Sequence, residues 1–201
     1  FGASGGSLFV NGEAGDRFAV RNSGAMAVVE GVGDFCCEYM TSGAVLNLGS
    51  FGKGFANGMS GGNGYQYDPQ NLLESRYNKE SVILGRVAAD SLEAKAHQEI
   101  VIYMLEEHVK ATGSSIAQAL LDNWEDEKAH FWYATPIGLY ETQTAERLLK
   151  NTTRKEMIEE MATAYTRRQV DQIRTAYENG EDLFGGQVPA IGETDTRLIL
   201  R

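Results

Sequence analysis

The chain has 201 residues, a formal net charge of −10 and a hydrophobic fraction of 42%. This size suits one or two domains with a buried core. The acidic balance, without a basic patch that carries interleaved aromatics, argues against a nucleic-acid-binding module, and no apolar run of about 18 residues predicts a membrane span.

A repeat of glycines organises the first third of the chain. Four of them stand at a constant step of 19 residues, namely Gly5, Gly24, Gly43 and Gly62. A second track runs between them, formed by Gly12, Gly31 and Gly49. A fixed period near 20 residues is typical of stacked supersecondary units. Because no helical pattern fits between the glycines, the period predicts a β-solenoid whose corners are glycines in positive-φ conformations.

The same period predicts short strands between the glycines. We expect them at residues 7–10, 17–20, 27–30, 36–39, 44–48, 55–58 and 63–67. The last of these strands alternates Tyr65 and Tyr67 with a period of two. Asp68 and Pro69 then break the pattern. We therefore assign residues 1–68 to the solenoid.

Beyond residue 68 the glycines become rare, and helical signals replace them. Residues 69–89 are expected to form a connector that contains a strand at 81–84. Asp90 and Glu93 fit a capping box at the start of a helix, and Gly113 follows the end of that helix. Its apolar stripe consists of Ala96, Ile100, Met104, Leu105 and Val109.

Further elements are predicted downstream. They are a helix over 115–128, an extended segment over 131–133, helices over 141–150 and 153–179, and a tail over 181–201. Two larger segments follow from these signals: a helical end over 90–135 and a helical extension over 136–201, for which we assign no role.

None of the patterns that carry chemistry has the required spacing. Lys53 follows Gly52, but Asn47 and Gly54 stand where a phosphate-binding loop needs Gly and Ser or Thr. His97 and His108 are eleven positions apart, about 16 Å along a helix, so they cannot bind one metal ion. We interpret these two histidines and His130 as surface or capping residues.

The two cysteines, Cys36 and Cys37, are adjacent. No partner ligands stand nearby at zinc spacing, so we expect reduced thiols, at least one of them buried. Four polar residues of the repeats are expected to pair across coils or, as the less favoured alternative, to contact a partner; they are Arg17, Arg21, Asn22 and Glu30. We expect no catalytic residue and no metal site in this chain.

Several consecutive motifs resemble one known family. The closest are Gly12-Glu-Ala-Gly-Asp-Arg-Phe-Ala-Val-Arg-Asn-Ser-Gly24, Ala27-Val-Val-Glu-Gly-Val-Gly-Asp34, Cys37-Glu-Tyr-Met-Thr41 and Gly58-Met-Ser-Gly-Gly62. They look like the GXGXG domain of the glutamate synthase large (α) subunit, nearest the bacterial NADPH-dependent type. A weaker similarity continues through Leu105-Glu-Glu-His-Val109 and Thr112-Gly-Ser114 to Phe131-Trp132. The resemblance covers about residues 1–135.

The resemblance implies a right-handed parallel β-helix without catalytic residues. In that family the domain packs between a glutaminase domain and an FMN-binding synthase barrel, and it helps to hold them at the spacing that an ammonia tunnel requires. The holoenzyme converts glutamine and 2-oxoglutarate to two glutamates with FMN and an iron–sulfur cluster, both bound outside this segment. Such a chain is expected in an oligomer, with a small electron-transfer subunit as a further partner, in the cytoplasm or in a plastid.

Two alternatives stay open at this point. The first is a separate GXGXG subunit of a split enzyme such as an N-methylglutamate synthase. The second is a scaffold β-helix in another redox complex such as a formylmethanofuran dehydrogenase. The sequence starts in mid-repeat at Phe1 without an initiator methionine. We therefore expect it to be part of a longer chain.

Overall fold

Four parallel strands, one from each successive coil, form the body of the fold. In the computed structural model, which describes residues 1–137, these strands are β1 (Ser7–Val10), β2 (Ser23–Gly31), β3 (Ser42–Ser50) and β4 (Asn63–Tyr67). Each strand pairs in parallel with the next, as in Ala27 with Val45 and Val45 with Gly64. These partners are 18 and 19 positions apart. The β-solenoid predicted from the glycine period is confirmed.

Three of the predicted strands are wrong. Residues 17–20, 36–39 and 55–58 form tight turns that stack from coil to coil. Every second residue in and beside each turn has a positive φ. These nine residues are Arg17, Ala19, Arg21, Phe35, Cys37, Tyr39, Gly54, Ala56 and Gly58. Most of them are not glycine, so the sequence carried no sign of this conformation.

Hydrogen bonds between coils hold these turns in place. The amide of Arg17 donates to the carbonyl of Asp34 at 2.7 Å, and the amide of Phe35 donates to the carbonyl of Lys53 at 2.8 Å. The same relation joins Tyr39 to Asn57 at 2.8 Å. A left-handed backbone costs about 1–2 kcal/mol for each non-glycine residue, and the bonds to the next coil offset that cost.

The regular step of the glycine tracks has two separate physical causes. Gly12, Gly43 and Gly62 have a positive φ, as expected of corners. Gly24, Gly31 and Gly49 lie inside β2 and β3 and have no positive φ. At these positions the absence of a side chain lets neighbouring coils approach. A Cβ on Gly49 would lie 2.0 Å from the carbonyl oxygen of Glu30 in the previous coil. Gly5 has neither constraint, since no atom lies within 4 Å of its Cβ position.

Two antiparallel strands close the last coil. β6 (Phe131–Pro136) pairs with β4, and β5 (Val82–Arg86) pairs with β6, which gives the strand order β1-β2-β3-β4-β6-β5. The strand expected at 81–84 and the extended segment at 131–133 are thus confirmed. A short helix that the sequence did not predict, α1 (Leu73–Arg76), precedes β5. The solenoid, the connector and the helical end therefore share one sheet.

The helices differ from the predicted ones in their boundaries. α2 spans Leu92–Thr112, and its N-cap is Ser91, whose hydroxyl accepts from the amide of Ala94, rather than Asp90. Gly113 ends α2 in a left-handed conformation, as predicted. The helix expected over 115–128 is broken at Asn123 into α3 (Ser115–Asp122) and α4 (Trp124–Glu127), and a 3-10 turn over Lys128–His130 follows. The helices predicted over 141–150 and 153–179 and the tail over 181–201 lie outside the described residues.

The sheet has an apolar core on each face. Val28, Leu46 and Tyr65 face α2, whose buried stripe includes Ile100 and Met104. Their neighbours along the strands point into the coil interior, where Val29 and Val45 pack with Cys37, Met40 and Phe55. This alternation is the period of two expected of strands buried on both faces. Within residues 1–137, no helix combines the length and the apolar character needed to cross a membrane.

Replacing Gly49 by alanine tests the close approach between coils. We expect Gly49→Ala to lower the free energy of unfolding by about 1–3 kcal/mol, because the new methyl group overlaps the backbone of Glu30. The matched control is Gly15→Ala, where nothing lies within 4 Å of the Cβ position. Chemical denaturation followed by circular dichroism measures both, and equal losses in the two variants would contradict this account.

Candidate functional site

The long helix α2 lies across the stacked strands and contacts the solenoid at both of its ends. His97, near its start, bonds to Tyr65 of β4, and His108, near its end, bonds to Glu30 of β2. Past His108, the carbonyl of Thr112 accepts from the side chain of Asn11 after β1. The two histidines are eleven positions apart, which is about 16 Å along a helix, and strands stack about 4.8 Å apart. One helix thus fastens successive coils to one another.

Both helix histidines are fully buried, so their interpretation as surface or capping residues is wrong. The side chains of His97 and His108 have no exposed area. The sequence test considered only metal binding by the pair and missed that each ring separately meets a polar group of the solenoid. The signal in the sequence was a histidine beside the apolar stripe of a helix, which indicates burial. A buried imidazole needs a polar partner.

The Glu30 carboxylate joins β2 to the junction of α2 and α3. Its Oε1 accepts from His108 Nε2 at 3.1 Å and from Ser114 Oγ at 2.5 Å. The Ser114 hydroxyl also accepts from the amide of Ala117, so it caps α3 at the same time. Only 7% of the Glu30 side chain is exposed. A buried carboxylate with two donors is a strong structural contact because each charge-assisted bond forms away from water.

The three residue types Ser114, His108 and Glu30 match those of a hydrolytic triad, but their order does not. Acyl transfer needs the histidine next to the serine, where it takes the hydroxyl proton. Here the carboxylate lies between the two, and Ser114 is buried and engaged as a helix cap. The group therefore serves as a clamp between the helix and the solenoid.

His97 lies in a contact of different chemistry at the other end of α2. Tyr65 Oη and His97 Nδ1 are 2.8 Å apart, and the ring of Tyr133 stacks on the imidazole with centroids 3.8 Å apart. Burial lowers the pKa of His97, against the opposing effect of the Glu93 carboxylate. Burial also raises the pKa of Tyr65 well above 10. The phenol is therefore the donor, and His97 accepts as a neutral ring.

The four polar residues singled out in the repeats have separate surroundings. Arg17 forms an ion pair of 2.9 Å with Glu38 of the next coil, and the Arg21 guanidinium lies over the ring of Phe1 at 5.5 Å. Asn22 bonds locally to both backbone groups of Ala25. The side chain of Glu30 bonds to the helical region instead of another coil. The structure does not bring these four residues together into one site.

A ladder of aspartates was missed by the sequence analysis. Asp16 accepts from the amide of Asp34 at 2.8 Å, and Asp34 accepts from the amide of Lys53 at 3.0 Å. Gly33 and Gly52 leave room for these carboxylates, since a Cβ there would lie 2.0 and 1.9 Å from them. The repeated pairs Gly15-Asp16 and Gly33-Asp34 were the signal. Asn47 and Gln66 form a second such link at 2.8 Å.

The two cysteines are buried thiols with low reactivity. Their sulfur atoms are 3.7 Å apart, and neither is exposed by more than 1%. A hydrogen bond from Cys36, and then burial, raise the pKa of Cys37 well above its usual value. A buried, protonated thiol is a poor nucleophile and a poor ligand. Among residues 1–137, no group of three or more His, Cys, Asp or Glu side chains could hold a metal ion.

A cleft of about 430 Å³ opens where β3 and β4 end, and it is lined among others by Phe51, Tyr67, Asp68 and Arg76. Three of the polar side chains that line it bond to nearby protein groups. Asp68 accepts from the amide of Leu73, Arg76 donates to the carbonyl of Phe51, and Tyr67 donates to Glu127 at 2.6 Å. Burial and the bond to Glu127 raise the pKa of Tyr67 to about 12. These bonds indicate a structural role for the lining residues.

Comparison with known proteins gives a consistent assignment. A family model described as GXGXG motif matches residues 1–137. Ferredoxin-dependent glutamate synthase 2 of Arabidopsis thaliana is 44% identical over 155 residues, which is 76% of this chain and 9% of that protein. The large chain of glutamate synthase [NADPH] from Bacillus subtilis is 44% identical over 137 residues, 68% of this chain and 9% of that protein. Both types of glutamate synthase thus match at equal identity.

The chain spans less than a tenth of the length of these relatives. A third relative, ferredoxin-dependent glutamate synthase 2 of Synechocystis, is 44% identical over 136 residues, which cover 68% of this chain and 8% of the relative. The resemblance to glutamate synthase large subunits that the motifs indicated is thereby confirmed.

The Glu30 clamp gives a direct prediction. Glu30→Ala removes the acceptor of two buried donors, and we expect a loss of about 3–5 kcal/mol in the free energy of unfolding. The matched control is Glu107→Gln, which breaks a pair of 3.1 Å between Glu107 and the exposed Lys110 on the same helix; such surface pairs contribute about 0–1 kcal/mol. Urea denaturation separates the two cases, and a small effect of Glu30→Ala would count against the clamp.

Proposed function

The chain belongs to the GXGXG motif family, and on that basis we propose that it is the GXGXG region of a glutamate synthase large subunit. In this role it forms a stiff, non-catalytic spacer between a glutaminase domain and an FMN-binding barrel. These domains belong to the same chain or to a neighbouring one. The reaction served is the conversion of glutamine and 2-oxoglutarate to two glutamates.

One observation carries this proposal, namely that α2 is bonded to the solenoid at both ends by buried polar groups. Tyr65 holds His97 and Glu30 holds His108, so the helix and the coils cannot slide past each other without leaving buried donors unpaired. A stack of parallel strands with such a helix across it resists bending along its axis. Ammonia transfer between two active sites needs domains at fixed spacing, which a stiff body of this kind supplies.

The geometry also supports a non-catalytic role. The group that contains serine, histidine and glutamate has the wrong order for acyl transfer. In the cleft, Tyr67, Asp68 and Arg76 are engaged in structural bonds. The chain has two cysteines, adjacent and buried, which do not fit the larger set of thiolates that an iron–sulfur cluster needs. We therefore assign both FMN and the iron–sulfur cluster to other parts of the enzyme.

The remaining parts of the assignment rest on the relatives. Two types, ferredoxin-dependent and NADPH-dependent, are among them, and some are chloroplastic. We propose an oligomeric enzyme with a separate electron-donating partner, located in the cytoplasm or a plastid. Segment boundaries at 68, 89 and 135 stay predictions, and the first three segments share one sheet.

The coupling between glutamine hydrolysis and 2-oxoglutarate consumption tests the spacer role. In the full-length protein, we expect Glu30→Ala to lower the amount of 2-oxoglutarate consumed per glutamine hydrolysed, because a loosened spacer lets ammonia escape. Glutamate formation from added ammonia should keep its wild-type rate, and Glu107→Gln should leave both reactions unchanged. Parallel assays of glutamine hydrolysis and 2-oxoglutarate consumption give the ratio.

Two results would contradict the proposal. A full-length protein that neither hydrolyses glutamine nor binds flavin would exclude a glutamate synthase. A wild-type ratio in Glu30→Ala, while hydrogen exchange shows that α2 has loosened, would exclude the spacer role and leave the family assignment intact.

A further inference from the structure

The two ends of α2 respond in opposite ways to a proton. His108 Nε2 lies 3.1 Å from the Glu30 carboxylate, so a positive charge on this ring is attracted by its partner. The hydroxyl of Ser114, which bonds to the same carboxylate, and the ring of Phe9, 6.0 Å from the imidazole, lie on the same side of the helix. Charging His108 therefore preserves the contact between β2 and the C-terminal part of α2.

His97 has no comparable partner. From β4 it faces the Tyr65 hydroxyl, from β6 the stacked ring of Tyr133, and from its own helix Glu93, whose Oε1 is 3.9 Å from Nε2. Within residues 1–137, no group bonds to Nε2. Glu93 is itself 26% exposed, so its attraction for a charged ring is weakened by water.

Protonation also reverses the direction of the hydrogen bond between Tyr65 and His97. In the neutral state the phenol of Tyr65 donates to Nδ1, the acceptor nitrogen of the ring. After protonation both ring nitrogens are donors, so the phenol must rotate until Oη accepts from Nδ1–H, and its own hydrogen loses Nδ1 as an acceptor. Tyr65 is fully buried, so this phenolic hydrogen has no water to bond to in place of Nδ1. The charged ring therefore leaves an unpaired buried donor as well as a buried charge.

We propose that His97 is an acid-sensitive fastener, whose protonation releases the N-terminal part of α2 (residues 92–104) from β4 and β6 while Glu30 retains the C-terminal part (residues 105–112). The strand β4 of the last coil and the closing strand β6 are then no longer covered by the N-terminal part of α2. This device would act in any enzyme that contains the chain, since it depends only on contacts within the described residues.

The direction of the pH dependence follows from linkage. His97 has a lowered pKa in the folded protein, so its contact is intact above about pH 6.5, the pKa of an unperturbed histidine. As the pH falls below that value, the opened state binds a proton that the closed state does not. The opening constant then rises by up to about tenfold per pH unit until the lowered pKa is reached.

Hydrogen–deuterium exchange of the full-length protein between about pH 8 and about pH 5 tests the proposal. After correction for intrinsic exchange, we expect peptides within residues 92–104 to lose protection below about pH 6.5, by up to about tenfold per pH unit. Peptides within residues 105–112 should keep theirs. Equal loss in both segments, or no loss in either, would overturn the proposal.

Variants identify the responsible group. His97→Gln should abolish the pH dependence of residues 92–104, whereas His130→Gln, which changes a histidine outside α2, should leave it as in the wild type. If His97→Gln does not fold, Glu93→Gln retains the histidine and removes the carboxylate that attracts its charge, so acid loosening should increase. Reduced loosening in Glu93→Gln, or an unchanged pH response in His97→Gln, would show that another group titrates.

Discussion

The hydrogen bonds between successive coils are the constraint on which the rest of the structure depends. Each coil must approach the next closely enough for its backbone to bond, in the turns as well as in the strands. At Gly49 this distance leaves no room for a side chain, because the carbonyl of Glu30 occupies the place of a Cβ. In the turns the same bonds maintain left-handed conformations at residues such as Arg17, Phe35 and Tyr39. A chain that cannot stack its coils cannot keep these turns.

Buried polar contacts between the helix α2 and the solenoid are the second constraint on the structure. An apolar helix stripe on an apolar sheet face defines which surfaces meet, but apolar contacts are non-directional and do not fix the position along the stack. Directional bonds at His97 and His108 fix that position, because each ring has one polar partner on a particular strand. The two contacts also differ in charge, since one is made by a carboxylate and the other by a neutral phenol. The helix is thus anchored by two bonds whose stabilities depend differently on protonation.

Stiffness is the property that the proposed function requires of this chain. A stack of coils with a helix bonded across it transmits position over its length. Within residues 1–137, side chains that could be taken for catalytic groups hold the stack together instead, as Ser114 and Asp68 show. The relatives are large enzymes of which this chain is a small part, which is consistent with a region that organises its neighbours.

The sequence by itself determined the solenoid, its coil length and the family, because all three are written in a repeat of local signals. The fixed glycine step, the period of two in the strands and the Gly113 helix end each depend on a few neighbouring residues. Only the tertiary structure decided the turns at 17–20, 36–39 and 55–58, the burial of His97 and His108, and the partners of Glu30. Those features depend on atoms of other coils or of a helix that lies about 80 residues away in the chain. No local pattern encodes such a contact, because the same histidine in the same helix would be a surface residue if the solenoid did not lie beside it.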